Sequence, residues 1–145
     1  MIALDTNLLV YAHRRESSYH GRANDLVRGL AQGKARWAIP WPCIYEFFSV
    51  VTNPRIWKET ASTPIQASNQ IEAWCNSPNL SLLGETQDFL TVLIRLMRQP
   101  RVRGPIVHDA RIAALCMVHG VEELLTIDRD FQLFDQLRIR NPLFD

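Results

Sequence analysis

Five acids stand where the chain changes from one element of secondary structure to the next: Asp5, Glu46, Asp109, Asp128 and Asp130. Asp5 closes the apolar segment Ile2 to Leu4, and Asp128 and Asp130 follow Val121 to Leu125 through Thr126 and Ile127. A carboxylate at the end of a strand caps the next helix, binds a metal, or does both. Glu46 flanks the apolar face of a segment that carries Phe47 and Phe48. Asp109 falls in the first turn of a helical segment, where the helix dipole favours negative charge. Taken singly, each acid has an ordinary structural role as a solvated flank, a dipole partner or a cap. Together they are strand-end and helix-borne carboxylates able to converge on one pocket, where they would repel one another unless a divalent cation intervened. Hard oxygen ligands with no cluster of Cys or His point to Mg²⁺, with Mn²⁺ as a substitute. The chemistry such a site serves best is phosphoryl transfer, in which metal-activated water attacks and the cation stabilises the charge on the phosphate and the leaving oxygen.

The elements that must position these acids alternate between periods of two and 3.6 residues. Strands are predicted at Ile2 to Leu4, Arg36 to Ile39, Leu80 to Leu83 and Val121 to Leu125, with a weak fifth at Leu137 to Ile139. Helices are predicted from Leu8, from His20 to Leu30 with Gly33 as the stop, and around Ile44, Phe47, Phe48 and Val51 up to Asn53-Pro54. A loop from Arg55 to Thr63 then leads to a helix with Pro64 in its first turn and Ile71 and Trp74 facing inward. Thr86 is expected to cap a helix through Met97 whose packed face is Phe89, Leu90, Leu93, Ile94 and Met97. Gly104-Pro105 breaks the chain before a helix from His108 to His119, with Ala110, Ala113, Ala114 and Met117 as its packed face and Gly120 as its stop. Strands alternating with helices imply right-handed crossovers and a mainly parallel sheet of four to five strands covered on both sides. The expected fold is a three-layer α/β/α sandwich.

With 145 residues, the chain has the length of one domain, read here as 1–145, and can bury a core without covalent staples. The three cysteines, Cys43, Cys75 and Cys116, are odd in number and far apart, and read as reduced core thiols. The start MIALD lacks a basic signal region, and no apolar run reaches the roughly 18 residues of a membrane span, so a cytoplasmic location is expected. A net charge of +1 makes no global case for nucleic acid. Locally, Arg95, Arg98, Arg101 and Arg103 lie between Phe89 and His108 with no acid among them, which is either a solvated helix end or a phosphate-contacting surface.

LDTNLLVY at the start, Glu46 in its aromatic helix, TNPR at Thr52 to Arg55, HDARIAA at His108 to Ala114 and GVEELLTIDRDF at Gly120 to Phe131 occur in an order that resembles a PIN-domain protein of the VapC toxin type. The likeness spans nearly the whole chain, and its specificity lies in the combination of motifs. It implies a metal-dependent endoribonuclease acting on cellular RNA, a VapB-like antitoxin that blocks the site, and a homodimer. Position by position, Asp5, Glu46, Asp109 and Asp128 match the family's acidic quartet. Asp130 is an additional acid, and the metal ligands implied are Asp5, Asp109, Asp128 and Asp130, with the order of Asp128 and Asp130 left open.

Around the quartet, Thr6 and Thr126 are candidates to orient carboxylates or water through their hydroxyls, and Asn7 to hydrogen-bond a ligand. Helix capping is the plainer role for Thr6. Arg111 and Arg129 are candidates to contact phosphate oxygens, or else form surface ion pairs. His108 needs no proton-transfer role, because a metal can acidify water itself. Trp57 either packs within the protein, stacks on an unpaired base, or fills an antitoxin or dimer contact. A phosphatase of the haloacid-dehalogenase type would require an acid where Asn7 stands. A catalytically silent PIN-fold binding or scaffold protein is the alternative to the nuclease, and the intact quartet disfavours it.

Overall fold

A computed structural model describes residues 1–144. Its five strands are β1 (Ile2–Leu4), β2 (Trp37–Pro40), β3 (Leu80–Leu83), β4 (Glu123–Leu125) and β5 (Arg138–Arg140). All pairings are parallel, in the order β3-β2-β1-β4-β5. The inner strands are nearly continuous apolar runs because parallel strands are covered on both faces. All four residues of β2 are buried, whereas the edge strand β5 carries Arg138 and Arg140, both paired with Glu123 of β4.

Among the described residues, seven helices connect the strands: α1 (Thr6–His13), α2 (His20–Gln32), α3 (Trp41–Val51), α4 (Pro54–Trp57), α5 (Pro64–Cys75), α6 (Phe89–Met97) and α7 (Ile106–Val118). Helix α1 packs on α2 and α3, and α3 on α5, while α6 and α7 pack on each other. From β1 the chain steps one way to β2 and β3, then crosses back to β4 on the opposite side of β1 and continues to β5. Crossovers of one hand therefore place α1–α5 on one face and α6–α7 on the other. The result is the expected α/β/α sandwich. Its strand order reverses between β1 and β4, and ligands of open parallel sheets bind at the carboxyl ends of the strands beside such a reversal.

Several boundaries differ from those the sequence suggests. The segment after Asn53 is not a plain loop: the Asn53 side chain accepts from Arg55 N at 2.9 Å and Pro54 occupies the first helical position, so α4 forms, followed by a 3₁₀ turn at Lys58–Thr60. Helix α6 begins at Phe89, not at a Thr86 cap; the Thr86 contribution is its backbone carbonyl, which accepts from Phe89 N at 3.2 Å. Its buried residues are Phe89 and Leu96, while Leu90 and Met97 are exposed, because α7 packs on a face rotated from the expected one. Helix α7 starts at Ile106, two residues before His108, and Gly120 ends it with φ of 67°, a left-handed conformation that suits glycine. Cys43 and Cys116 are core thiols, but Cys75 is exposed at the end of α5. Among the described residues, no helix is long and apolar enough to cross a membrane.

Candidate active site

The carboxyl ends of β1 and β4 meet at the strand-order reversal. Leu4 is in register with Leu125, and Asp5 N donates to Leu125 O at 3.0 Å, which holds Asp5 and Thr126 side by side. Asp5 also sits at the N-cap of α1, and its Oδ1 accepts from Thr6 N at 2.7 Å. Its Oδ2 accepts from the Thr126 hydroxyl at 2.6 Å and from Asn7 Nδ2 at 3.1 Å, and the Cys43 thiol lies 3.7 Å from Oδ1. A carboxylate this well satisfied is a fixed, buried anchor. Burial raises its pKa, and the Thr126 and Thr6 bonds oppose that rise.

Thr126 does more than hold Asp5. Its oxygen also accepts from Asp128 N at 3.0 Å and from Asn7 Nδ2 at 3.3 Å, while Asn7 Oδ1 accepts from Ile127 N at 3.4 Å. Asp128 is the N-cap of the 3₁₀ turn Arg129–Leu133 and accepts from Asp130 N at 2.9 Å. Glu46, on α3, is oriented by the Thr6 hydroxyl, which donates to its Oε2 at 2.7 Å. Thr6 thus orients a carboxylate with its side chain and caps nothing with it. Asp109 comes from the first turn of α7, on the other face of the sheet.

Asp5, Glu46, Asp109 and Asp128, together with Thr6 and Asn7, line one cleft of about 380 Å³. Oxygens of Asp109, Asp128 and Asp130 lie within 4.8 Å of one another. Burial, followed by the charges of Asp128 and Asp5, pushes the Asp109 carboxyl up to about 7. Neighbouring carboxylates thus add to the effect of burial, and an all-oxygen donor set of this kind fits Mg²⁺ or Mn²⁺. Asp5 stands outside that oxygen triad, with both its oxygens already engaged.

Other residues singled out from the sequence fall elsewhere. Arg111 pairs with Glu85 at 3.1 Å, so the structure gives it the surface ion pair and leaves it out of the cleft lining. Arg129 lines a neighbouring groove of about 300 Å³ with Arg101 and Asp130, so of the basic stretch Arg101 comes beside an acid of the site. His108 is exposed and does not line the cleft. The unforeseen part of the site is its apolar lining of Val10, Tyr11, Val50 and Ile112, which Trp57, already singled out from the sequence, joins. Helical spacing carries the signal for most of it: Val10 and Tyr11 follow Asn7 by three and four residues, Val50 follows Glu46 by four, and Ile112 follows Asp109 by three.

A strand-order reversal lined by these acids is the architecture of a PIN domain, and the family model described as PIN domain matches residues 2–137. The chain belongs to that family. Within it, the chain is 32% identical over 138 residues to Ribonuclease VapC48 of Mycobacterium tuberculosis, covering 95% of this chain and 94% of the relative. Among solved structures it resembles M. tuberculosis VapC20, a sarcin–ricin loop cleaving toxin, with a TM-score of 0.66, 17% identity and coverage of 91% of this chain and 93% of the other. It also resembles VapBC2 of Rickettsia felis bound to a DNA fragment from their promoter, with a TM-score of 0.65, 18% identity and coverage of 97% and 98%. At those identities the structural likenesses speak for the fold alone.

Proposed function

We propose that this chain is a metal-dependent endoribonuclease toxin of the VapC type, a single PIN-like domain that hydrolyses a phosphodiester bond of cellular RNA in the cytoplasm. The observation that carries the reading is the convergence of Asp5, Glu46, Asp109 and Asp128 on one cleft at the sheet's strand-order reversal. The VapC48 name supports ribonuclease activity, and a VapBC assembly among the structural neighbours supports a VapB-like antitoxin that covers the cleft. A homodimer is the assembly this reading implies.

Asp109, Asp128 and Asp130 would hold a divalent cation, and Asp5, on the same cleft as Asp109 and Asp128, would add its charge. Mg²⁺, or Mn²⁺ in its place, supplies positive charge for the phosphate oxygens and lowers the pKa of water when bound. Thr126 and Asn7 keep Asp5 and Asp128 in fixed relation, so the ligand set needs no rearrangement before reaction. Glu46, steadied on one oxygen by Thr6, keeps its other oxygen to orient a water or take its proton. Arg129 and Arg101, in the adjoining groove, provide the positive charge that a neighbouring phosphate of the strand requires.

The test is cleavage of total cellular RNA by purified protein with Mg²⁺, with Mn²⁺ and with EDTA, beside Asp109→Asn. Discrete metal-dependent fragments absent from the variant are expected. Absence of cleavage with either metal would replace the enzyme with a partner-binding PIN scaffold.

A further inference from the structure

The acids make up only part of the cleft lining, and the mechanism leaves the apolar part, Val10, Tyr11, Val50, Trp57 and Ile112, without a task. Trp57 differs from its neighbours there in how firmly it is held. Its indole Nε1 donates to Val50 O at 2.8 Å, so the polar edge of the ring is already satisfied. The Arg14 guanidinium lies 4.0 Å from the ring centroid and covers one face. Arg14 is itself only 4% exposed and is fixed by Thr60 O at 2.7 Å, by Thr60 Oγ1 at 3.2 Å and by an ion pair with Glu16. Immediately after Trp57 the chain turns through Lys58 at φ 52° and ψ −129°, a strained conformation for a residue with a side chain. The aromatic ring is therefore clamped on a polar edge and on one face, and what remains for the cleft is apolar carbon surface.

A tryptophan with only a packing role would normally be covered, as Trp37 and Trp74 are in the core. Trp57 instead remains half-buried in the lining of the catalytic cleft. A flat apolar π-surface beside a phosphodiester-cleaving acid cluster matches one ligand chemistry, a nucleobase. Bases stack on aromatic side chains when they are unpaired, whereas paired bases are already stacked within their helix. A cleft of about 380 Å³ is also at the small end of ligand sites, the scale of one nucleoside.

We infer that Trp57 is the platform on which one unpaired base next to the scissile phosphate stacks. Trp57 is then a positioning and specificity residue. It holds the base against the apolar wall while the adjoining phosphate lies against the acids, and Arg14 acts from behind by fixing the ring. The inference rests on the ribonuclease reading in naming RNA as the ligand, but its test reads binding and not cleavage.

The experiment uses full-length Asp109→Asn protein, which keeps RNA intact, with two probes: a short single-stranded oligoribonucleotide of mixed sequence carrying iodouridine, and a fully paired blunt duplex of the same composition. Ultraviolet cross-linking followed by peptide mass spectrometry is expected to place the uracil adduct on Trp57 with the single strand and not with the duplex. Adding Trp57→Ala should weaken single-strand binding by roughly 5- to 150-fold, the worth of one base–aromatic stack, and leave duplex binding unchanged. Trp57→Phe, which keeps a ring but loses the bond to Val50, should retain most of the single-strand affinity. Cross-links confined to other residues, together with unchanged affinity in Trp57→Ala, would overturn the inference. So would an equal loss of single-strand and duplex binding in Trp57→Ala and Trp57→Phe with a lowered unfolding midpoint, since that pattern belongs to a purely structural ring. Failure of the ribonuclease reading shows separately, as absence of metal-dependent cleavage by the wild-type protein.

Discussion

The Thr126 hydroxyl donates a 2.6 Å hydrogen bond to Asp5 Oδ2, joining residues 121 positions apart at the ends of two adjacent strands. The same oxygen accepts from Asp128 N, so one side chain that is 1% exposed fixes both strand-end acids. Thr126→Val keeps the shape and removes the hydroxyl, leaving Asp5 short of a partner and Asp128 N without an acceptor. Hydrogen bonds to buried charged groups contribute about 1.5–3 kcal/mol, and a loss of that order is expected in urea unfolding at neutral pH. Because the Thr126 bond lowers the Asp5 pKa, the loss should shrink in acid, where Asp5 is protonated in either protein. Thr126→Ser should recover most of it, and a Val variant as stable as wild type would rule out the clamp.

The Asp109 carboxyl gives the metal-free protein an inverted pH response. Its pKa stands at about 7 in the fold against an ordinary 3.8, so between those values the folded state binds the extra proton. Stability then falls as pH rises, because the derivative follows the difference in bound protons between unfolded and folded chains. In EDTA, the contribution of Asp109 should be fully present below pH 3.8 and lost as pH climbs through about 7. Asp5, raised in the same sense, adds to the trend. Thermal unfolding across this range checks it: Asp109→Asn should flatten the profile, and excess Mn²⁺ should lift the neutral end by binding the ionised acids.

Glu46 depends on Thr6 for its orientation through the 2.7 Å hydroxyl bond. Thr6→Ala leaves the backbone bond from Thr6 N to Asp5 in place but frees the Glu46 carboxylate. Cleavage should slow by about tenfold or more in kcat, with KM little changed, in keeping with the worth of a hydrogen bond to a charged group. If the two act as a unit, Thr6→Ala should cost little further in a Glu46→Gln background. Full additivity of the two losses would show that Thr6 acts by another route.

What was legible in the sequence followed from local signals. Asp5 stands directly after a short apolar run that is β1, and Asp128 three residues after Leu125, the end of β4, whose start lies at Glu123 and not at Val121; their convergence follows from strand-end placement and topology. Leu80–Leu83 was bounded by polar turns and matches β3 residue for residue. Signals with two meanings misled: Asn53-Pro54 ends α3 and also starts α4, since Asn caps and Pro suits a first turn. The phase of α6 was ambiguous because apolar residues occupy most of its circumference, and packing against α7 decides that Leu96 is covered and Leu90 is not. Arg111 finds Glu85, and Trp57 finds Arg14, across separations no local pattern encodes.

Asp128 and Asp130, two positions apart, are distinguished by what they line. Asp128 lines the cleft beside Asp5 and Glu46, whereas Asp130 is exposed and lines the groove of Arg101 and Arg129. An exposed acid in a groove shared with two arginines is screened by water and by their charge, whereas one in a cleft lined by other carboxylates gains more from a cation. Asp128→Asn should therefore weaken Mn²⁺ binding, followed by titration calorimetry, by at least about tenfold, and cleavage should fall with it. Asp130→Asn should weaken binding only a few-fold, because Asp109 and Asp128 still present the cluster and the Asp130 backbone N–H still donates to Asp128 Oδ1. The opposite ranking would move the cation toward the arginine groove and make Asp130 its principal ligand.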